Sequence, residues 1–172
     1  EEQQALTKEL PPLDLEALIA GHENERVEFK GSLQWDLRKK EKATWLRDEV
    51  IGTICAFLNT SGGTVLVGIS DEGEVLGLQS DLKLVNAETL EKQKDKLALL
   101  INDLANAHLG VLFSRDVKLS FEEIVGKTIA VIRVRPGPEP AFVKGKDFYI
   151  RSGNQSRKLE MADAVRYIAR RW

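Results

Sequence analysis

IGTICAFLNTSGGTVLVGISDEG, residues Ile51 to Gly73, reads as helix, glycine turn, buried strand and acidic turn. Ile51, Ile54, Cys55 and Leu58 recur at helical spacing and give the helix an apolar face. Asn59-Thr60-Ser61-Gly62-Gly63 stops it, because two glycines supply backbone angles that other residues resist. Thr64 to Ile69 is apolar at both parities, which suits a central strand covered on both faces. Asp71-Glu72-Gly73 then forms a tight turn. A carboxylate at the end of a buried strand is held in a fixed position, and such positions suit chemistry.

Outward from this stretch, strands and helices alternate. Leu13 to Ala20 reads as a short helix with Asp14 near its start and Gly21 beyond its end. Val27 and Phe29 alternate with Arg26, Glu28 and Lys30, so a strand puts Val27 and Phe29 in the core and Glu28 with Lys30 on the other face. Trp35 to Glu41 is charged, with Arg38, Lys39, Lys40 and Lys42 in a loop or early helical turn, and the helix proper runs from about Lys42 to Leu58. Glu74 to Leu78 is expected to return as the second strand of a hairpin, and Gln79 to Val85 as a loop. A long helix over about Asn86 to His108 carries Leu97, Leu100, Ile101 and Leu104 on one face. Strands are expected from Val117 and over Lys127 to Arg135, with a break at Pro136-Gly137-Pro138. A short strand over Asp147 to Arg151 and a closing helix from about Met161 to Arg171 complete the order. The fold class expected is α+β: one domain over residues 13–172, a mixed, mostly antiparallel sheet flanked by helices, after a flexible lead-in over residues 1–12.

The 172 residues suffice for one domain with a real core. No run approaches the roughly 18 apolar residues of a membrane span, so no membrane partner is expected within this chain. The chain begins Glu1-Glu2-Gln3-Gln4 without an initiating Met, as a piece of a longer protein would. A lone Cys55 excludes an internal disulfide and fits a reducing, cytoplasmic setting. Net charge is −2, yet Lys144 to Trp172 holds eight Lys or Arg against three acids, which leaves about −7 on the rest. Such asymmetry marks either a local anion-binding face or a solvated basic helix.

Several nucleotide and hydrolase motifs fail. Val125-Gly126-Lys127-Thr128 resembles the end of a P-loop, but Phe121 stands where the first glycine belongs. Gly68-Ile69-Ser70-Asp71-Glu72 lacks the last glycine of a nucleophile elbow. With only His22 and His108, a triad has few bases, and no Cys/His zinc spacing or dinucleotide fingerprint exists. What remains is acidic: Glu23, Glu28 and Asp71 can meet if the strand of Glu28 lies beside Thr64 to Ile69. Three clustered carboxylates need a cation, a proton or wide spacing, and Mg²⁺ or Mn²⁺ takes such oxygen ligands. Glu23 is an odd number of residues from Glu28, so it joins only if the chain bends near Asn24. Solvated acids on strand ends are the plain alternative. Lys30 could steady a phosphate, and Lys144, Lys146, Arg151, Arg157 and Lys158 are the other basic candidates. Trp35, Phe148 and Tyr149 could stack bases or simply pack.

Glu23 followed by Glu28-Phe29-Lys30, then Ala56-Phe57-Leu58-Asn59-Thr60-x-Gly62-Gly63, then Val67-Gly68-Ile69-x-Asp71 with Gly73 and Gly77, resembles the Schlafen AlbA-type domain. Phe148-Tyr149-Ile150-Arg151-x-Gly153 is similar to its closing motif, and the likeness spans about Leu13 to Leu159. The resemblance implies an α/β domain that binds nucleic acid. In animal Schlafens two such lobes form a horseshoe that cleaves transfer RNA at a metal-dependent Glu-Glu-Asp site. Carried over, those acids fall on Glu23, Glu28 and Asp71. This chain has one lobe, so a horseshoe would need a homodimer or a fused second domain, and Ser70 stands where the family often shows another acid. Single-lobe bacterial relatives are described as DNA-binding or regulatory modules. The functional expectation is a metal-dependent endoribonuclease domain acting on structured RNA such as tRNA, RNA being favoured over DNA. Glu23, Glu28 and Asp71 would be catalytic and hold Mg²⁺ or Mn²⁺, while Lys30, Lys144, Arg151 and Arg157 would bind the nucleic acid. The alternative is a non-catalytic DNA/RNA-binding module of a larger protein.

Overall fold

Val50 to Leu58 is buried without interruption, so the helix that carries it, α2 (Trp45–Leu58), is a central element rather than a surface one. In the computed structural model, which describes residues 10–172, elements pack around this helix on several sides. The expected lead-in lies mostly outside the described residues; Pro11 and Pro12, at its end, have no regular structure.

The first elements are α1 (Leu15–Ala20) and β1 (Val27–Lys30). Asp14 caps α1 by accepting from the Ala17 N–H at 3.1 Å. A small hairpin, β2 (Trp35–Asp36) with β3 (Glu41–Lys42), precedes α2, and β4 (Gly63–Val67) follows it. After α3 (Gln79–Leu84) and α4 (Leu90–Leu109), a 3₁₀ turn over Val111–Arg115 leads into β5 (Val117–Ile124) and β6 (Lys127–Val134). The chain closes with the hairpin β7 (Phe148–Ser152) and β8 (Gln155–Leu159), then α5 (Met161–Arg171).

The main sheet has the order β1-β4-β6-β5. Only β1 and β4 run parallel, with Glu28 beside Val65; β4–β6 and β5–β6 are antiparallel. The mixed, mostly antiparallel α+β architecture expected from the sequence is therefore observed. One face of the sheet packs against α2 and α4 through residues such as Val65, Val67, Ala130 and Ile132. The other face, Phe29, Leu66, Ile69 and Val131 among it, is covered by Leu15, Leu18 and Ile19 of α1. Gly63 admits this packing: a Cβ there would lie 2.5 Å from the ring of Phe57. Among the described residues no helix is long and apolar enough to cross a membrane.

Four local expectations are corrected. Lys42 belongs to β3, and α2 begins at Trp45. Glu74 to Leu78 forms only a bridge at Ile69–Val75, because Gly77 lies at φ 78° and turns the chain toward β6. Gln79 to Leu84 is helix, not loop. Its Asp81 is buried and accepts from the Leu33 and Gln34 N–H groups at 3.0 and 2.8 Å, a long-range role that local pattern does not announce. Last, β8 follows β7 directly, with Ser152 opposite Gln155 across the Gly153-Asn154 turn.

Asp81 therefore anchors the segment that runs from β1 into the β2–β3 hairpin. Asp81→Ala strands two buried N–H groups and should lower stability by about 1–3 kcal/mol for each left without a partner. Urea unfolding of the variant beside the native chain measures this loss.

Candidate nucleic-acid cleft

The cleft forms where the parallel strands β1 and β4 both end. The Lys30 carbonyl accepts from the Gly68 and Ile69 N–H groups at 2.7 and 3.2 Å, which fixes the two strand ends side by side. Beyond them Ser70 shapes the acidic turn, its Oγ accepting from the Glu74 N–H at 3.0 Å. Asp71 projects from this turn and is exposed.

Glu23 reaches the same place by a reversal of the chain. Asn24 and Val27 form a tight bridge, and the Asn24 side chain accepts from the Arg26 N–H at 2.8 Å. This is the bend that the odd spacing of Glu23 and Glu28 demanded. Glu23 Oε1 then accepts from the Phe29 N–H at 2.8 Å, on the outer edge of β1. Burial raises the Glu23 carboxyl above its ordinary value; the Phe29 N–H opposes this, and the charges of Glu28 and Asp71 add to it.

Glu28 is held differently. Its Oε2 accepts from Arg151 Nη1 at 2.5 Å, and its Oε1 lies 3.2 Å from Lys30 Nζ. Lys30 also reaches Glu49 at 3.6 Å. The Arg151 side chain is only 2% exposed. It donates further to Ser156 Oγ and to the Asn24 and Val27 carbonyls, and its guanidinium lies 5.1 Å from the Phe57 ring centre. Arg151 thus uses both terminal nitrogens inside the protein, leaving a buried Nε without a partner, and positions Glu28.

Glu23, Glu28, Lys30 and Asp71 all line one open cleft of about 800 Å³. A second depression of about 460 Å³ shares Glu28, Lys30 and Glu49 with it and extends to Tyr149 and Ser156. The β2–β3 hairpin forms the opposite lip and brings Trp35, Arg38 and Lys39, with Trp45 beside it. Asp36 shapes its turn by accepting from the Arg38 and Lys39 N–H groups at 2.9 and 3.0 Å. In the sequence this lip was visible as a charge run and as Trp35, a stacking candidate; that the two belong to one hairpin, with Trp35 paired to Lys42, emerges only in the structure.

Lys144 and Arg157 are exposed and do not line the cleft. Phe148 is buried among Phe142 and Tyr167, at 5.2 and 5.8 Å between ring centres, which leaves Trp35 and Tyr149 as the accessible aromatic candidates. The donor chemistry of the three acids suits a hard divalent cation. Their grouping is looser than a cation cage: among the described residues no three acidic, His or Cys side chains stand close enough together to hold one. Both Glu28 oxygens already face basic groups.

Comparison with known proteins adds the family. None of the curated proteins matches the chain. Among solved structures, the DIP2311 protein from Corynebacterium diphtheriae is similar in fold, at 18% identity and a TM-score of 0.59, over 89% of this chain. The chain spans only 30% of that protein. The N-terminal domain of a RecG-related protein from Nitrosomonas europaea aligns at 22% identity and a TM-score of 0.46, over 86% of this chain and 91% of that one. The family model described as Schlafen, AlbA_2 matches residues 23–160, a span that takes in every strand and all three acids of the cleft, and on that match the chain belongs to the Schlafen AlbA_2 family.

Proposed function

We propose that this domain binds nucleic acid in the cleft at the ends of β1 and β4 and hydrolyses a phosphodiester of structured RNA there. The observation that carries the reading is the meeting of Glu23, Glu28 and Asp71, from two distant parts of the chain, in one cleft with a basic lip. Membership in the Schlafen AlbA_2 family supports a nucleic-acid-related role. To hold Mg²⁺ or Mn²⁺, Glu23, Glu28 and Asp71 would have to draw closer together than they stand here; the ion, when bound, would supply an activated water and charge stabilisation at the phosphate. Lys30, placed between Glu28 and Glu49, would exchange Glu49 for a phosphate oxygen. Arg38 and Lys39 would engage the backbone, and Trp35 offers a face on which a base could stack. Lys144 and Arg157 would extend backbone contact outside the cleft. The setting proposed is cytoplasmic, with Cys55 a reduced thiol whose pKa burial pushes up to about 12.

A second reading has its own observation. Because Glu28 is neutralised by Arg151 and Lys30, the cleft also suits a non-catalytic DNA- or RNA-binding module of a larger protein.

Incubation with transfer RNA and with single-stranded DNA, in Mn²⁺ or in EDTA, separates the two. Cleavage of the RNA in Mn²⁺ alone, lost in Asp71→Asn and Glu23→Gln, is the expected result. Retention of both nucleic acids without cleavage supports the binding module, and binding of either kind should weaken steeply with salt.

Arg151→Ala should leave the partly buried Glu28 with Lys30 as its only basic partner and the Asn24 and Val27 carbonyls without their donor, and should lower stability by about 1–3 kcal/mol, visible in thermal unfolding. Glu23 gives a pH signature. Its folded pKa lies above the ordinary 4.5, so its contribution to stability is complete below that pH and is lost as pH rises through the raised value. In Glu23→Gln, which keeps an acceptor for the Phe29 N–H, this fall should flatten; urea midpoints measured across acid to neutral pH will report it.

A further inference from the structure

The main sheet ends on β5, and among the described residues no strand pairs with its outer edge. Eight residues long, it is an extended template for another strand. The Val125-Gly126 turn, with φ of 45° and 74°, makes Ile124–Lys127 the closing hydrogen-bonded pair of the β5–β6 hairpin. The ladder alternates from there. Even-numbered residues of β5 bond to β6, while Val117, Leu119, Phe121 and Glu123 aim their N–H and C=O groups outward.

The side chains then select what can pair. Lys118, Ser120 and Glu122 are exposed on one face, and Leu119 and Phe121 lie on the face toward α4. Lys118 stands across from Arg133 on β6, a like charge, and among the described residues it makes no ion pair. An antiparallel copy of β5 centred on Ser120 would set Lys118 opposite Glu122 twice, once on each side of a two-fold axis. The same register sets Leu119 opposite Phe121, both with outward backbone groups, as a hydrogen-bonded pair requires. Over Lys118 to Glu122 the sequence of this edge therefore complements its own reverse in charge, in apolar pairing and in hydrogen-bond phase, while Val117 falls opposite Glu123 at the ends.

Beside the edge, a groove of about 430 Å³ opens between α4 and β5, lined in part by Ala98, Asn102, Ala105 and Leu119. Small residues there leave room for an approaching chain. Leu99, Val111 and Leu112 nearby are 61%, 67% and 71% exposed.

We propose that the β5 edge is a homodimer interface, at which a second copy of this chain adds antiparallel in the Lys118–Glu122 register to make one continuous eight-stranded sheet. The dimer axis lies at the far side of the sheet from the cleft. Seven strand spacings of roughly 4.8 Å separate β1 from its symmetry mate, about 34 Å in all. Each dimer would therefore present two well-separated clefts on one rigid body.

Sedimentation of the 172-residue protein over a wide concentration range is the test. The expected result is a reversible dimer. Lys118→Glu and Glu122→Lys, each alone, place like charges across both pairs and should raise the dissociation constant about tenfold. Both side chains are exposed, so circular dichroism should stay native. The double variant Lys118→Glu/Glu122→Lys restores opposite charges and should recover native affinity. A wild type that stays monomeric at every concentration overturns the proposal and leaves the edge to a strand from a different protein. Single variants that dimerise as well as wild type, or a double swap that fails to recover, overturn it too.

Discussion

An ion pair between the buried Arg151 and the partly buried Glu28 organises this molecule. Taking these charges out of water is expensive, and the expense is offset because both terminal nitrogens of the guanidinium find further partners, although its buried Nε has none. Those partners, Ser156 on β8 and the Asn24 and Val27 carbonyls of the turn into β1, come from two distant segments. Phe57, at the heart of α2, underlies the guanidinium. One side chain on β7 thereby ties together the edge strand of the sheet, the turn that precedes it, the central helix and the C-terminal hairpin. Asn59 performs a related service with neutral groups. Fully buried at the end of α2, it exchanges hydrogen bonds with both backbone groups of Ala141 and donates to the Tyr149 carbonyl, while its own carbonyl accepts from Tyr167.

With these clamps closed, the acids have little freedom in where they go. Glu28 cannot leave the mouth of the cleft without abandoning Arg151. Glu23 is fastened to the edge of β1 by the Phe29 N–H. Asp71 is the least restrained of the three, exposed at the tip of a turn. The cleft therefore combines two carboxylates of fixed position with one that can adjust, under a lip whose base is gripped by Asp81. A site of this kind is prepared on one side and adaptable on the other.

Period-two alternation at Val27 and Phe29 suffices to place Glu28 on the cleft side of β1, and both-parity burial from Thr64 to Ile69 suffices to make β4 interior. Those signals are local, and so they were legible. The position of Glu23 was legible only as a condition, a bend near Asn24, which the Asn24–Val27 bridge meets. Arg151 was misplaced because a basic residue in a hairpin looks the same in sequence whether it faces solvent or a carboxylate 123 positions away. Likewise α3 was hidden: six residues make a weak periodic pattern, and what stabilises that turn is Asp81 bonding to N–H groups 47 and 48 residues distant. In each case the missing information lay in tertiary partners rather than in neighbours along the chain.

The separation of Glu28 from Arg151 along the polypeptide has a kinetic corollary. Closing a loop of that length costs entropy before any contact repays it, and folds rich in such distant pairings form slowly. The Glu28 position is complete only with the terminal hairpin docked, so the acidic pocket depends on a contact between the two ends of the chain.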